Sequence, residues 1–281
     1  MQIHSTIEAM RAHSRAARRD RKLIGCVPTM GALHEGHLSL VRAAKSRCEF
    51  VVASIFVNPT QFGPNEDLAK YPRNFDRDRK LLENEGIDAI FAPDVAEMYP
   101  SGATTWVNVD GLSEKLDGKS RPGHFRGVAT VVLKLLEIVQ PDTAYFGEKD
   151  AQQLAIIRRL AADFNVPVAI VGVPTVREAD GLAISSRNVH LSPDERRLAP
   201  ALYRALCEAR DRIAAGAADP AVAKTAALAH IPEDPGVRLE YLEIVNPGDM
   251  QPVERISGPV CVAGAMWVGA TRLIDNVMYT P

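Results

Sequence analysis

The chain has 281 residues, 46% hydrophobic and 24% charged, enough apolar material for a substantial core arranged as one large or two modest domains. Its 33 Lys and Arg nearly cancel its 35 Asp and Glu, which argues against general attraction to nucleic acid or an anionic membrane and leaves local groups to meet any anionic ligand. The apolar runs 50–57 and 261–270 fall short of the roughly 18 residues of a bilayer-spanning helix. The N-terminus lacks the apolar stretch of a secretory signal, and Cys26, Cys48, Cys207 and Cys261 are too scattered for a thiolate metal site or redox pair. A cytoplasmic protein with reduced thiols is the expectation.

The first twenty residues read as an amphipathic helix with a basic end. A short apolar strand ends near Val27, a helix follows over about 37–47, and the near-continuous apolar run 50–57 reads as a second strand, giving a βαβ unit. A helix over 75–85 is closed by Gly86, and 87–92 supplies another strand. The alternation continues as strand 105–109, helix 128–139, strand 143–146, helix 151–164 and strand 168–171. Buried strands interleaved with helices predict an α/β fold with a mostly parallel sheet covered on both faces. Beyond Arg187 the rhythm changes to a long helix over 193–215, another over 220–230, and strands at 238–245, 260–267 and 272–279. The expected division is residues 1–175 and a smaller α+β domain at 176–281, with the SSRN stretch just past the junction contributing to the site.

Three motifs carry the chemistry. PTMGALHEGH, residues 28–37, falls where a strand ends and a helix begins, the place where free amide groups and the helix dipole favour anions. Gly31 and Gly36 permit close approach of the backbone to a nucleotide. His34 and His37, three apart, can project together and stabilise charge developing on a phosphate and its leaving group. A histidine pair at a helix start can also be a cap, or part of a metal site, but no third ligand stands at a regular spacing nearby, so no metal ligands are assigned.

FGEKDAQQ, 146–153, repeats the strand-to-helix placement, with Lys149 as a phosphate cation and Asp150 as a ribose acceptor or cap. In DGLAISSRN, 180–188, Ser185 and Ser186 beside Arg187 suit phosphate oxygens, although loop serines are commonly caps. Gln61 in NPTQFGPNED can bind a hydroxyl or carboxylate, and Arg126 in RPGHFRGV can serve an anion or a subunit contact.

Together these stretches, with YPR at 71–73, occur end to end in the order that resembles the pantothenate synthetases, the pantoate and β-alanine ligases of the HxGH nucleotidyltransferase superfamily. The resemblance implies a Rossmann-like ATP-binding domain, a C-terminal lid, a homodimer, and Mg²⁺ accompanying ATP. It implies a nucleotide site lined by Met30, Gly31, Ala32, Leu33, His34, Glu35, Gly36 and His37, with His37 the proton donor and His34 its phosphate-binding companion. Gly147, Glu148, Lys149 and Asp150 would contact nucleotide, Val176 would meet adenine, and Ile184, Ser185, Ser186 and Arg187 would close over the phosphates. Gln61 and Gln153 would hold pantoate, and Gln61 would also border the β-alanine site. The implied reaction passes through a pantoyl adenylate, releasing pyrophosphate and then AMP; the alternative is an HxGH nucleotidyltransferase that keeps AMP in its product.

Overall fold

A computed structural model describes residues 1–64 and 66–281; Asn65, within the NPTQFGPNED stretch, lies outside the described residues. In chain order the elements are β1 (Gln2–His4), α1 (Ile7–Arg19), β2 (Ile24–Val27), α2 (Glu35–Lys45), β3 (Phe50–Ser54), α3 (Phe75–Asn84), β4 (Ala89–Phe91), α4 (Val95–Met98), α5 (Leu116–Ser120) and α6 (His124–Val139). They continue with β5 (Thr143–Gly147), α7 (Ala151–Asp163), β6 (Ala169–Val173), α8 (Pro193–Leu198), α9 (Ala201–Ala214), α10 (Pro220–Leu228), β7 (Val237–Val245), β8 (Val260–Val268) and β9 (Thr271–Tyr279).

The first six strands form one parallel sheet in the order β1-β4-β3-β2-β5-β6. Every residue of β2 and β3 is buried, as expected where helices cover both faces and no strand needs a polar side. Successive strands run outward from β2 through β3 to β4, and then the chain returns to place β5 and β6 on the other side of β2. The reversal between β2 and β5 leaves a crevice at their carboxyl ends, the place where open α/β sheets bind ligands. The remaining strands form a three-stranded antiparallel sheet, β7-β8-β9, packed with α9 and α10. Rossmann-like parallel sheet plus smaller α+β unit is therefore the architecture, as the sequence implied.

Three expectations fail locally. Residues 105–109 form no strand: Val107 and Val109 are buried, but the Val107 N–H donates to Thr130 Oγ1 on α6 at 3.0 Å, so the segment lies on a helix instead of joining the sheet. The helix expected over 193–215 is two, because Pro200 has no N–H to continue the ladder and becomes the N-cap of α9. The N-terminal helix is preceded by β1, three residues long, which owes its existence to pairing with β4 rather than to any local pattern.

Candidate functional site

Between β2 and α2 the chain makes a tight turn with positive φ at Gly31 (+81°) and Ala32 (+51°). Thr29 fixes its start: the hydroxyl donates to Ser54 O at 2.6 Å and accepts from Gly31 N at 3.1 Å. His34 is the N-cap of α2 and His37 sits in the first turn. Their rings lie 4.1 Å apart, centroid to centroid, and the His34 N–H donates to His37 Nδ1 at 3.4 Å. That bond puts the proton of a neutral His37 ring on Nε2. Burial, then His34, pushes His37 down to about 3; burial, then Lys149, pushes His34 down to about 4. Both imidazoles are thus neutral near pH 7, able to donate one hydrogen bond each without being cations.

Lys149 comes from the turn after β5, across the crevice. Its ammonium is 3.8 Å from Asp150, and the turn is gripped from the second sheet: Asn276 Nδ2 donates to Glu148 O and Lys149 O, each at 2.9 Å. Neighbouring Asp275 makes a bidentate pair with Arg177 at 2.6 and 2.9 Å, and Arg177 also donates to Gly181 O and lies 3.8 Å from the Tyr203 ring. Residues 176–184 form a small hairpin, closed by the Arg177–Ala183 bridge and an Ile184 N–H donated to Val176 O at 3.0 Å. One strand, β9, therefore holds both the lysine turn and the hairpin that leads into Ser185 and Ser186.

These elements enclose two joined spaces. The inner one, about 200 Å³, is faced by Met30, His34, Gly36 and His37 from the first motif, by Gly147, Lys149 and Asp150 from the second, and by Val176 and Ile184 from the hairpin. Gln61 and Gln153 stand on its wall among Phe56, Val131 and Val132. An outer space of about 560 Å³ shares Lys149 and Asp150 with it and adds Ser185 and Arg187. Other predicted positions turn elsewhere. Leu33 is core, Glu35 is exposed and paired with Arg42, and Ser186 opens a short 3-10 turn without facing either space. Contrary to the expectation of free amides for an anion, the N–H groups of Ala32 and Leu33 point inward to Asp78.

Gln61 owes its setting to residues that the sequence reading passed over. Asn58, 1% exposed, donates to Gln61 Oε1 and to Gly127 O, each at 3.1 Å, while its own oxygen accepts from Thr60 and from the Tyr99 hydroxyl. With its oxygen occupied, Gln61 has its NH₂ left for a ligand oxygen. His124 Nδ1 pairs with Gln61 O at 2.8 Å and its Nε2 with Arg121 at 3.0 Å; since arginine only donates and a carbonyl only accepts, the ring is neutral with the proton on Nδ1. Burial, then Arg121, pushes it down to about 4. Arg121 also grips Glu66, and Arg126 lies 4.5 Å from the Trp106 ring. Of the adjacent glutamines, Gln152 is structural, bonded to Asp117 N, Leu112 O and Lys115 O, whereas Gln153 faces the inner space.

Fold and crevice together define an α/β enzyme of the Rossmann-like, nucleotide-using class, with its polar groups at the topological switch point. The family model described as pantoate-beta-alanine ligase matches residues 2–278, and the chain belongs to that family. A pantothenate synthetase from Moorella thermoacetica is 55% identical over 99% of this chain and 98% of its own. Among solved structures, a pantothenate synthetase from Thermus thermophilus superposes with a TM-score of 0.95 at 48% identity, covering 100% of each chain. A pantoate-beta-alanine ligase from Francisella tularensis, solved with beta-gamma ATP and beta-alanine, superposes with a TM-score of 0.79 at 34% identity, covering 99% of this chain and 97% of its own.

Proposed function

We propose that the crevice joins pantoate to β-alanine in two steps through an enzyme-bound pantoyl adenylate. The observation that carries this reading is the convergence of His34, His37 and Lys149 on a space that also has an apolar wall of Phe56, Val128, Val131, Val132 and Leu135, with Gln61 and Gln153 beside it. Such a wall suits the branched hydrocarbon of pantoate, with two amides for its hydroxyl and carboxylate oxygens. The pantoate carboxylate attacks the α-phosphorus of ATP, and the bond to pyrophosphate breaks. The β-alanine amine then attacks the acyl carbon, losing a proton as AMP leaves.

Each side chain has a part in this. His37 donates from Nε2 to oxygen gaining charge in the first step, His34 binds phosphate beside it, and Lys149 neutralises the departing pyrophosphate. Contact with nucleotide from positions 31, 32, 147, 148 and 150, with Val176 at adenine and Ile184, Ser185 and Arg187 over the phosphates, belongs to the same proposal. So does Gln61 at the border of the β-alanine site. Leu33, Glu35 and Ser186 are left out of it because they turn away from both spaces. Mg²⁺ is proposed to enter with the substrate, as MgATP.

Division into residues 1–175 and 176–281, movement of the second part as a lid, homodimerisation and a cytoplasmic location are proposed with it. Among the described residues no helix is long and apolar enough to cross a membrane. The test of the route uses pantoate carrying ¹⁸O in its carboxylate. After one turnover with β-alanine, one labelled oxygen belongs in AMP and none in pyrophosphate. ADP release with label in orthophosphate would overturn the adenylate, and pyrophosphate release that needs no pantoate, with AMP recovered in the product of a different acceptor, would favour a nucleotidyltransferase that retains AMP.

A further inference from the structure

We propose that Asp78, helped by Arg77, is a positioning residue that fixes the turn before α2 and, through it, the His34–His37 pair; this rests on the adenylating role given above. Asp78 is 1% exposed, in the first turn of α3, where Asn74 caps the helix by accepting from Arg77 N at 3.1 Å. Its Oδ2 accepts from Ala32 N at 2.8 Å and its Oδ1 from Leu33 N at 2.9 Å, while Arg77 Nη1 donates to Leu33 O at 3.0 Å. Three bonds from two neighbouring residues thus hold consecutive peptide groups immediately before the N-cap histidine. Two charge-assisted bonds to one carboxylate also fix the turn's orientation.

The held conformation is one the chain does not adopt readily by itself. Gly31 and Ala32 have φ of +81° and +51°, and an alanine in that region is strained unless its surroundings impose it. A Cβ at Gly31 would come within 2.9 Å of Asp78 Oδ2, so glycine is required for the carboxylate to approach at all. From Leu33 the path is short: the next N–H, that of His34, is the one donated to His37 Nδ1. Asp78 faces neither cavity and acts only through the turn.

The experiment uses the intact chain with Asp78→Asn, which sets an NH₂ against one of two N–H groups. The expected result is a pantoate-dependent ATP–pyrophosphate exchange with kcat lowered about 10- to 100-fold, the loss that small misplacement of a catalytic group brings, and KM for ATP nearly unchanged. NMR titration of the His34 and His37 rings should show both taking up protons at higher pH than in the parent, as the pair loosens toward solvent. A folded variant with unchanged kcat and unchanged titrations overturns the proposal. So does a raised KM for ATP at unchanged kcat, which would make Asp78 a nucleotide ligand. If Asp78→Asn does not fold, Arg77→Ala decides, since that side chain is 55% exposed: a smaller fall in kcat with shifted titrations supports the clamp, and no change in either overturns it. The titrations need no substrate, so absence of exchange in the parent enzyme would reject the adenylating role while leaving the clamp tested.

Discussion

The histidine pair works through its neutral state. With Nδ1 of His37 accepting the His34 N–H, the ring keeps its Nε2 proton for a ligand, and loss of one such positioned donor raises a barrier by about 2.7–4 kcal/mol. His37→Ala is therefore expected to slow pantoate-dependent ATP–pyrophosphate exchange by roughly 10²–10³-fold while leaving the melting temperature near that of the parent; near-normal exchange in the folded variant would reject the role. Lys149 is predicted to matter in one step only. Lys149→Ala should impair adenylation, whereas supplied pantoyl adenylate should still react with β-alanine, because pyrophosphate has already gone. Rapid mixing separates the two, and intact adenylation with a slow amide step would mean the lysine is misassigned.

Between elements, one tight constraint is the crossing of α6 over the turn at Pro59–Gln61. A Cβ at Gly127 would meet Thr60 O at 2.4 Å, backbone against backbone, so neither side can yield by changing a rotamer. Gly127→Ala is expected to destabilise the protein by about 1–3 kcal/mol, the usual cost of overpacking, and to raise the KM for pantoate more than that for ATP, because the displaced turn carries Gln61. Urea unfolding and the two KM values check this, and a stable variant with unaltered KM would show that the turn moves freely. Helix α3 illustrates what a local pattern leaves out. FDRDRK looks like a solvated face, yet Asp78 within it is 1% exposed, and its partners lie 45 and 46 residues away.

For the whole molecule, the two parts share packing. Val245, Met250, Cys261 and Ala263 of the second belong to the main core of the first, and Arg272 on β9 pairs with Asp117 at 2.6 Å and with Glu240 at 2.8 Å. Arg272, by hydrogen bonding, holds Glu240 down at about 2. A fragment cut at residue 175 would expose that apolar surface, so it is expected not to fold cooperatively, and the full chain should show one calorimetric transition; two separable transitions would argue for independent domains. Acid sensitivity is a second property at this scale. His34, His37 and His124 are held well below the 6.5 of a free imidazole, so between pH 6.5 and about 4 the unfolded chain binds more protons than the folded one. Their contribution is complete above pH 6.5 and is lost as pH falls toward 4 and 3. The urea midpoint should drop from pH 7 to pH 5, and less steeply in His124→Gln; equal slopes would remove His124 from the explanation.

Periodicity and motif order in the sequence determined the class of fold, the motif positions at strand ends and the family, because those depend on local patterns: continuous apolar strands, glycines where φ is positive, and histidines at a helix start. One long-range matter lay beyond it: whether residues 105–109 join a sheet was decided by Thr130, a partner on α6 that takes the Val107 N–H. The family resemblance singled out Gln153 of two adjacent glutamines, but the physical reason is tertiary: the 112–117 segment claims Gln152 and leaves Gln153. Asp78, Asn58 and Asn276 went unread for the same reason: a buried polar side chain is defined by the distant backbone groups it satisfies, and only the tertiary fold brings those groups to it.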